Sequence, residues 1–266
     1  MTAIDAYAPV RGAALSAVAE RLAGFSNFAR KDATEWFRTR RAFWTTLTAV
    51  SLILLGVLAE RIHGAVDPAA AIVTDPSKNM IAAGWDGLLP IFAVFTTMGI
   101  LVSERESRTL AWSLSMPLTR AAVLASKLLT SVLALAVFAV LIPDVAAVIA
   151  VRIAYGGFPD AASILWPALS GATVALFLIV LNLAVSVFFR SQRTVAAVAL
   201  TVGLVVPGLI ASFWPAAVPW WPVSIGDWVS GYGAGQPIQA ISPVVWLASL
   251  VVLLAAAQIR FGRDEL

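Results

Sequence analysis

Six apolar runs, separated by charged or turn-rich stretches, dominate the pattern of this chain. They extend from Phe43 to Ala59, Gly87 to Ser103, about Leu124 to Ala150, Ile164 to Phe189, Thr194 to Phe213 and Pro243 to Gln258. A hydrocarbon core of about 30 Å needs about 20 apolar residues in a helix. The pattern therefore predicts an all-α polytopic membrane protein with six transmembrane helices. The first, second and sixth runs are short, and flanking arginines that reach back toward the headgroups, with local bilayer thinning, cover the deficit. In the third, apolar character continues from Ala121 to Val151, broken by Lys127 and by Pro143-Asp144. At about 1.5 Å per residue that stretch exceeds the hydrocarbon thickness. Its first turns are expected outside the lipid, with Pro143 kinking or ending the helix near the outer surface.

Composition agrees with this reading. Hydrophobic residues make up 60% of the 266 and charged residues only 12%, which excludes a soluble enzyme, a disordered chain and a coiled coil. No short apolar core precedes Phe43, so no cleavable leader is expected. The charge of +3 is an orientation signal rather than a nucleic-acid footprint. With the N-terminus inside, fifteen of the eighteen Lys and Arg residues fall on the inner side, leaving Arg61, Lys78 and Arg152 outside. Positive residues mark the cytoplasmic side, so both termini are expected there. The chain divides into a cytoplasmic N-terminus, 1–41, and a single transmembrane domain, 42–266.

Three stretches outside the runs carry further signal. Residues 17 to 41 read as an amphipathic helix at the inner headgroups, with Phe25, Phe28, Ala29, Ala33, Trp36 and Phe37 on one face. The alternative is a helix packed on its own protein. Between the second and third runs, Glu104 to Arg120 is too polar to span and too apolar for a plain linker. Leu110, Leu114 and Leu118 make a helical stripe, and Trp112 and Met116 a second. Such a helix suits docking into a groove on a cytoplasmic partner, or packing beneath the membrane domain. Between the fifth and sixth runs, Trp214, Trp220, Trp221 and Trp228 stand among Pro215, Pro219 and Pro222. This predicts a Trp-rich outer re-entrant or interfacial segment whose rings anchor at the membrane surface.

Catalytic chemistry is poorly represented. There are no cysteines and a single histidine, His63, so thiolate and multi-histidine metal sites are excluded. No phosphate-binding Gly-Lys-Ser/Thr loop occurs. The polar groups inside the runs are few: Thr96 and Thr97 in the second, Asp144 in the third and Asn182 in the fourth. Intramembrane ionisable residues are functional candidates; Asn182 is the type that bonds to a neighbouring helix. The spans lack the line of carboxylates that proton- or sodium-driven transport uses, which suggests an energy source outside this chain.

Two stretches resemble the permease subunits of ABC-2 type transporters. The first is Arg30-Lys31-Asp32 through Phe37-Arg38-Thr39-Arg40-Arg41, similar to the family's Lys-acid pair and following basic cluster. The second is Glu104-Arg105-Glu106, Thr109-Leu110, then Met116-Pro117-Leu118-Thr119-Arg120 and Lys127. It departs from the family pattern in having Arg108 where a Gly is usual and in lacking the Glu after Thr-Leu. The resemblance implies a dimeric exporter permease powered by a separate cytoplasmic ATPase subunit, which binds ATP-Mg while this chain binds no cofactor or metal. It implies an elbow helix carrying Lys31, Asp32, Trp36, Phe37, Arg40 and Arg41. It implies an ATPase-coupling set of Glu104, Arg105, Glu106, Thr109, Leu110, Pro117 and Arg120 on a coupling helix between spans two and three. Spans one, two and five of two protomers would line the translocation path, near Thr96 and Thr97, with Asn182 and Asp144 as further path candidates. The expected partners are the ATPase, a second or related permease and membrane lipid, with no nucleic acid; the expected location is the plasma or inner membrane. A non-transporting scaffold or immunity protein and a secondary transporter are the alternatives; the second predicts inverted repeats, and none is seen.

Overall fold

The computed structural model describes residues 25–38, 40–66, 89–106, 119–236 and 239–263. Among these residues all regular structure is helical. Helix α1 is Phe25–Arg38 and α2 is Arg41–Val66. The second apolar run forms α3, Leu89–Thr97, and the short α4, Val102–Glu106. Then follow α5, Arg120–Tyr155, α6, Ala161–Phe188, and α7, Gln192–Phe213. Two 3-10 turns, Pro215–Trp220 and Pro222–Ser224, lead into α8, Ile225–Gly233, and α9, Ile241–Arg263, closes the fold.

Five helices among the described residues are long and apolar enough to cross a membrane: α2, α5, α6, α7 and α9. The second run departs from the continuous span expected of it. Helix α3 stops at Thr97, and a turn separates it from α4. Side-chain hydrogen bonds cluster at the break. Thr96 Oγ1 donates to Phe92 O at 2.6 Å and Thr97 Oγ1 to Ala93 O at 2.5 Å, back-bonding that bends helices. Asn182 Nδ2 then bonds both Val94 O, at 3.0 Å, and Thr97 Oγ1, at 2.7 Å.

Helix α6 is the core. Of its apolar stretch 78% is buried inside the protein, against 22% or less in the other four long helices. It touches α3, α5, α7, α8 and α9. Small residues permit close approach: Ser170 Oγ donates to Gly226 O of α8 at 3.0 Å, and a Cβ on Gly226 would meet Val174 Cγ2 at 3.0 Å.

Three prolines, Pro143, Pro167 and Pro207, lie inside long helices, and the chain handles Pro143 and Pro207 in the same way. Pro143 does not end the third span; α5 runs on to Tyr155. One turn before it, Ala136–Leu141 widens to a π-helix, with Ile142 N–H donating to Val137 O. The amide that Phe138 O would use next belongs to Pro143, which has none. Thr46 Oγ1 of α2 takes that carbonyl at 3.1 Å. In α7, Thr201–Val205 is the π turn and Val206 N–H donates to Thr201 O. Five residues before Pro207 stands Val202 O, and Trp221 Nε1 donates to it at 3.2 Å. A buried backbone carbonyl without a donor is costly in an apolar medium, so Pro143 and Pro207 are each matched by a side-chain donor from another element.

This pairing is testable. Thr46→Val and Trp221→Phe are each expected to lower the stability of the detergent-solubilised protein by about 1 kcal/mol. Pro143→Ala restores the missing amide, so Thr46→Val added to it should cost little. Thermal unfolding of the four variants measures this coupling, and equal cost in both backgrounds would refute it.

The predicted outer aromatic segment divides. Trp214 and Trp220 are exposed. Trp221 turns inward to Val202, and Trp228 stacks on Tyr232 at 5.8 Å, with Trp166 edge-on to Tyr232 at 5.5 Å.

Candidate functional site

The N-terminal helix was expected to lie at the headgroups or on its own protein, and the second arrangement is present. Phe28, Asp32 and Trp36 are spaced four apart, so they share one face of α1, and all three are buried. They follow α5 in the same direction. The Lys127 ammonium lies 5.3 Å from the Phe28 ring centre, Asp32 bonds Ser126 and Lys127, and Trp36 packs with Ala42, Ala134 and Phe138.

Lys127 is the centre of a buried charge network. Its Nζ is 2.8 Å from Asp32 Oδ1 of α1 and 2.8 Å from Glu104 Oε1 of α4. Lys31 Nζ reaches the same Glu104 oxygen at 3.1 Å, and Ser126 Oγ donates to Asp32 Oδ2 at 3.2 Å. Exposure is 4% for Asp32, 5% for Glu104 and 7% for Lys127. Buried charges persist only when paired and hydrogen-bonded, and here two cations face two carboxylates. Burial pushes the Asp32 carboxyl above its ordinary value; the Lys127 ammonium pulls it back, and Glu104 adds to the rise. Glu35 brings a third carboxylate, with one oxygen from each of Asp32, Glu35 and Glu104 within 4.8 Å of one another. The Lys127 ammonium already serves Asp32 and Glu104.

Around this network, side chains close helix ends. Arg105 Nη1 donates to Ser186 O at 2.9 Å and Val187 O at 3.2 Å, among the last carbonyls of α6. Those carbonyls lack amide partners at a helix C-terminus and carry its negative dipole end, so a guanidinium satisfies both. Arg120 Nη1 does the same for Phe261 O near the end of α9. Glu106 Oε2 accepts from Gln192 Nε2, at the start of α7, at 3.2 Å. Thr119 Oγ1 caps α5 by accepting from Ala122 N at 3.2 Å.

Beside the network lies a cleft of about 380 Å³ between α2, α3 and the start of α7. Trp44, Phe92 and Phe95 give it apolar faces; Thr45, Thr48, Thr96 and Gln192 give it polar ones. A small cavity of about 30 Å³ lies against Asp32, Glu104 and Lys127 and shares Thr96 and Gly99 with the cleft.

Residues 27–219 match the family model described as ABC-2 family transporter protein. The chain belongs to the ABC-2 transporter family. It is a multi-pass membrane component of that family, a kind that is typically non-catalytic, and the family implies association with an ABC ATPase. Comparison with curated proteins gives no match.

The residues that ABC-2 resemblance singled out fall into distinct places. Lys31, Asp32 and Glu104 meet in the charge network, joined by Lys127. Arg105, Glu106 and Arg120 brace the ends of α6, α7 and α9. Thr109, Leu110 and Pro117 lie outside the described residues, as do the side chains of Phe37 and Arg41. Trp36 is buried, and Arg40, exposed, forms the turn between α1 and α2 with a left-handed φ of 56°. Of the path candidates, Thr96 lines the cleft, while Thr97 and Asn182 are buried and bonded to each other. Asp144 is half-buried on the far half of α5 and is not among the cleft's lining residues. Sequence reasoning passed over Ser126, Gln192 and the cleft aromatics. Gln192 had a usable signal, being a polar residue at the mouth of an apolar run.

Lys127→Met should lower stability by about 3–5 kcal/mol, because it takes the ammonium from buried Asp32 and leaves buried Glu104 with only the exposed Lys31. Adding Asp32→Asn and Glu104→Gln to it should recover most of that loss, as read by the unfolding midpoint in detergent. A triple variant no more stable than the single one would show that the lysine acts through packing.

Proposed function

We propose that this chain is the permease subunit of an ATP-driven ABC-2 type exporter. Two copies, or one copy and a related permease, enclose the translocation path. A separate cytoplasmic ATPase binds ATP-Mg and drives the exchange between inward- and outward-open states, because nucleotide has different affinity for the two. The second run, broken at Thr97, completes six crossings, and the Lys and Arg bias puts both termini in the cytoplasm of a plasma or inner membrane.

The observation that carries this reading is the anchoring on both sides of residues 107–118. Before that segment, Glu104 ties to Asp32's partner Lys127, Arg105 to the end of α6 and Glu106 to the start of α7. After it, Thr119 caps α5 and Arg120 holds the end of α9. A push on that segment by an ATPase would reach α1 and every long helix except α2 through short, charge-assisted contacts. The cleft between α2, α3 and α7 supports the assignment of the path to the first, second and fifth runs.

Native pull-down of the tagged chain in mild detergent tests the proposal. A stoichiometric nucleotide-binding subunit with vanadate-sensitive turnover is the expected result; an intact permease dimer without one overturns it. Glu106 is the clean site for charge reversal, being exposed, whereas Glu104→Lys would break the buried network. Glu106→Lys should lower the recovered ATPase several-fold while leaving membrane insertion unchanged.

A further inference from the structure

We infer that the cleft between α2, α3 and α7 binds an uncharged amphiphile with a flat apolar body, and that Gln192 relays its presence to Glu106. This rests on the permease reading and names the substrate class and the relay.

Three features of the lining set the ligand's chemistry. The size, about 380 Å³, falls in the range of small-molecule sites. Trp44, Phe92 and Phe95 present aromatic surface that favours a flat apolar body. No lining side chain is charged, so an ionic ligand would lose its hydration without gaining a counter-ion. The nearby network lies behind Thr96 and Gly99, and its Lys127 ammonium is already committed to Asp32 and Glu104.

The polar lining is disposed toward a ligand. Thr45 is 6% exposed and lines the cleft with Thr48, and among the described residues neither hydroxyl has a hydrogen-bond partner. Both are donors for a neutral carbonyl or ether. Thr96 spends its proton on Phe92 O, which leaves its oxygen as an acceptor.

Gln192 connects the cleft to the segment that follows α4. Its carboxamide lies against Gly99 so closely that a Cβ there would stand 3.2 Å from Gln192 Oε1. Its Nε2 holds Glu106 at 3.2 Å. A ligand that engages this carboxamide competes with Glu106, the last described residue before 107–118.

The chain has no cysteine, so a single dye can be placed in the full-length protein. Protein in nanodiscs would be photolabelled with 4-azidobenzanilide and with its trimethylammonium and carboxylate analogues, and the adducts mapped. The neutral probe is expected to label 44–48 and 92–99 about ten-fold more than either charged analogue, and about ten-fold less in a monodisperse Thr48→Trp variant that fills the cleft. Equal labelling by all three probes, or labelling untouched by Thr48→Trp, overturns the ligand class. For the relay, acrylodan on Ser107→Cys should shift its emission when benzanilide is added, and not in the Gln192→Leu background. A shift that survives Gln192→Leu, or no shift despite labelling, overturns the relay. If the ATPase co-purifies but labelling fails, this inference falls and the permease reading stands; the reverse result leaves a binding site without a transporter.

Discussion

A lysine ammonium buried between two carboxylates from two other helices organises one pole of this protein. Lys127 is on α5, Asp32 on α1 and Glu104 on α4. None of these side chains could be buried charged alone, since each would forfeit several kcal/mol of hydration. The requirement that all three meet fixes where α1 lies along α5 and where the broken second run comes to rest. Around it Arg105, Glu106 and Arg120 then brace the ends of α6, α7 and α9. An ion cluster of this kind is a poor source of net stability, because packed apolar residues would do as well. Its use is positional: it permits one arrangement of three helices and penalises others.

The same accounting, applied to backbone groups, explains the long helices. Proline removes an amide and therefore orphans a carbonyl inside an apolar medium. In both α5 and α7 a π turn absorbs the proline's ring, and the carbonyl five residues earlier receives a donor from a neighbour, Thr46 or Trp221. These donors are tertiary contacts. Wide turns are less regular than α-helix, so α5 and α7 each carry a place where bending alters one hydrogen bond from outside the helix rather than many within it.

Hydrophobic periodicity carried the long elements well because membrane burial depends on length and polarity, both of which are written locally. The ends of the fourth and fifth runs, Ile164 to Phe189 and Thr194 to Phe213, fall within three residues of Ala161–Phe188 and Gln192–Phe213. The break at Thr97 was not legible in the same way. There Thr97 meets Asn182, 85 residues later, and a hydropathy run cannot express such a contact. Asp32 was visible as a charged residue beside a basic one, yet its placement on the buried face opposes its polarity. Only the partner on α5 reverses that expectation. Trp221 reads from sequence like its neighbour Trp220; one is exposed and the other serves Val202, a difference set by the 3-10 turns that return the chain over α7.

The network and the cleft are not independent features. They share Thr96 and Gly99, on either side of the point where α3 stops. That stretch cannot move without shifting Thr97 against Asn182, to which it is bonded. It cannot shift freely either, because Glu104 is held five residues beyond Gly99 by Lys127. A wall with an apolar cleft on one side and a buried ion cluster on the other is a two-sided element. Displacement from the cleft side must be taken up by moving Glu104 against Lys127 and Lys31, or by rotating α4 as a unit. Rotation keeps the ion pairs and swings Arg105 and Glu106, which hold α6 and α7. The low-cost motion is therefore the one that carries a local change at the cleft to the end of α6 and the start of α7.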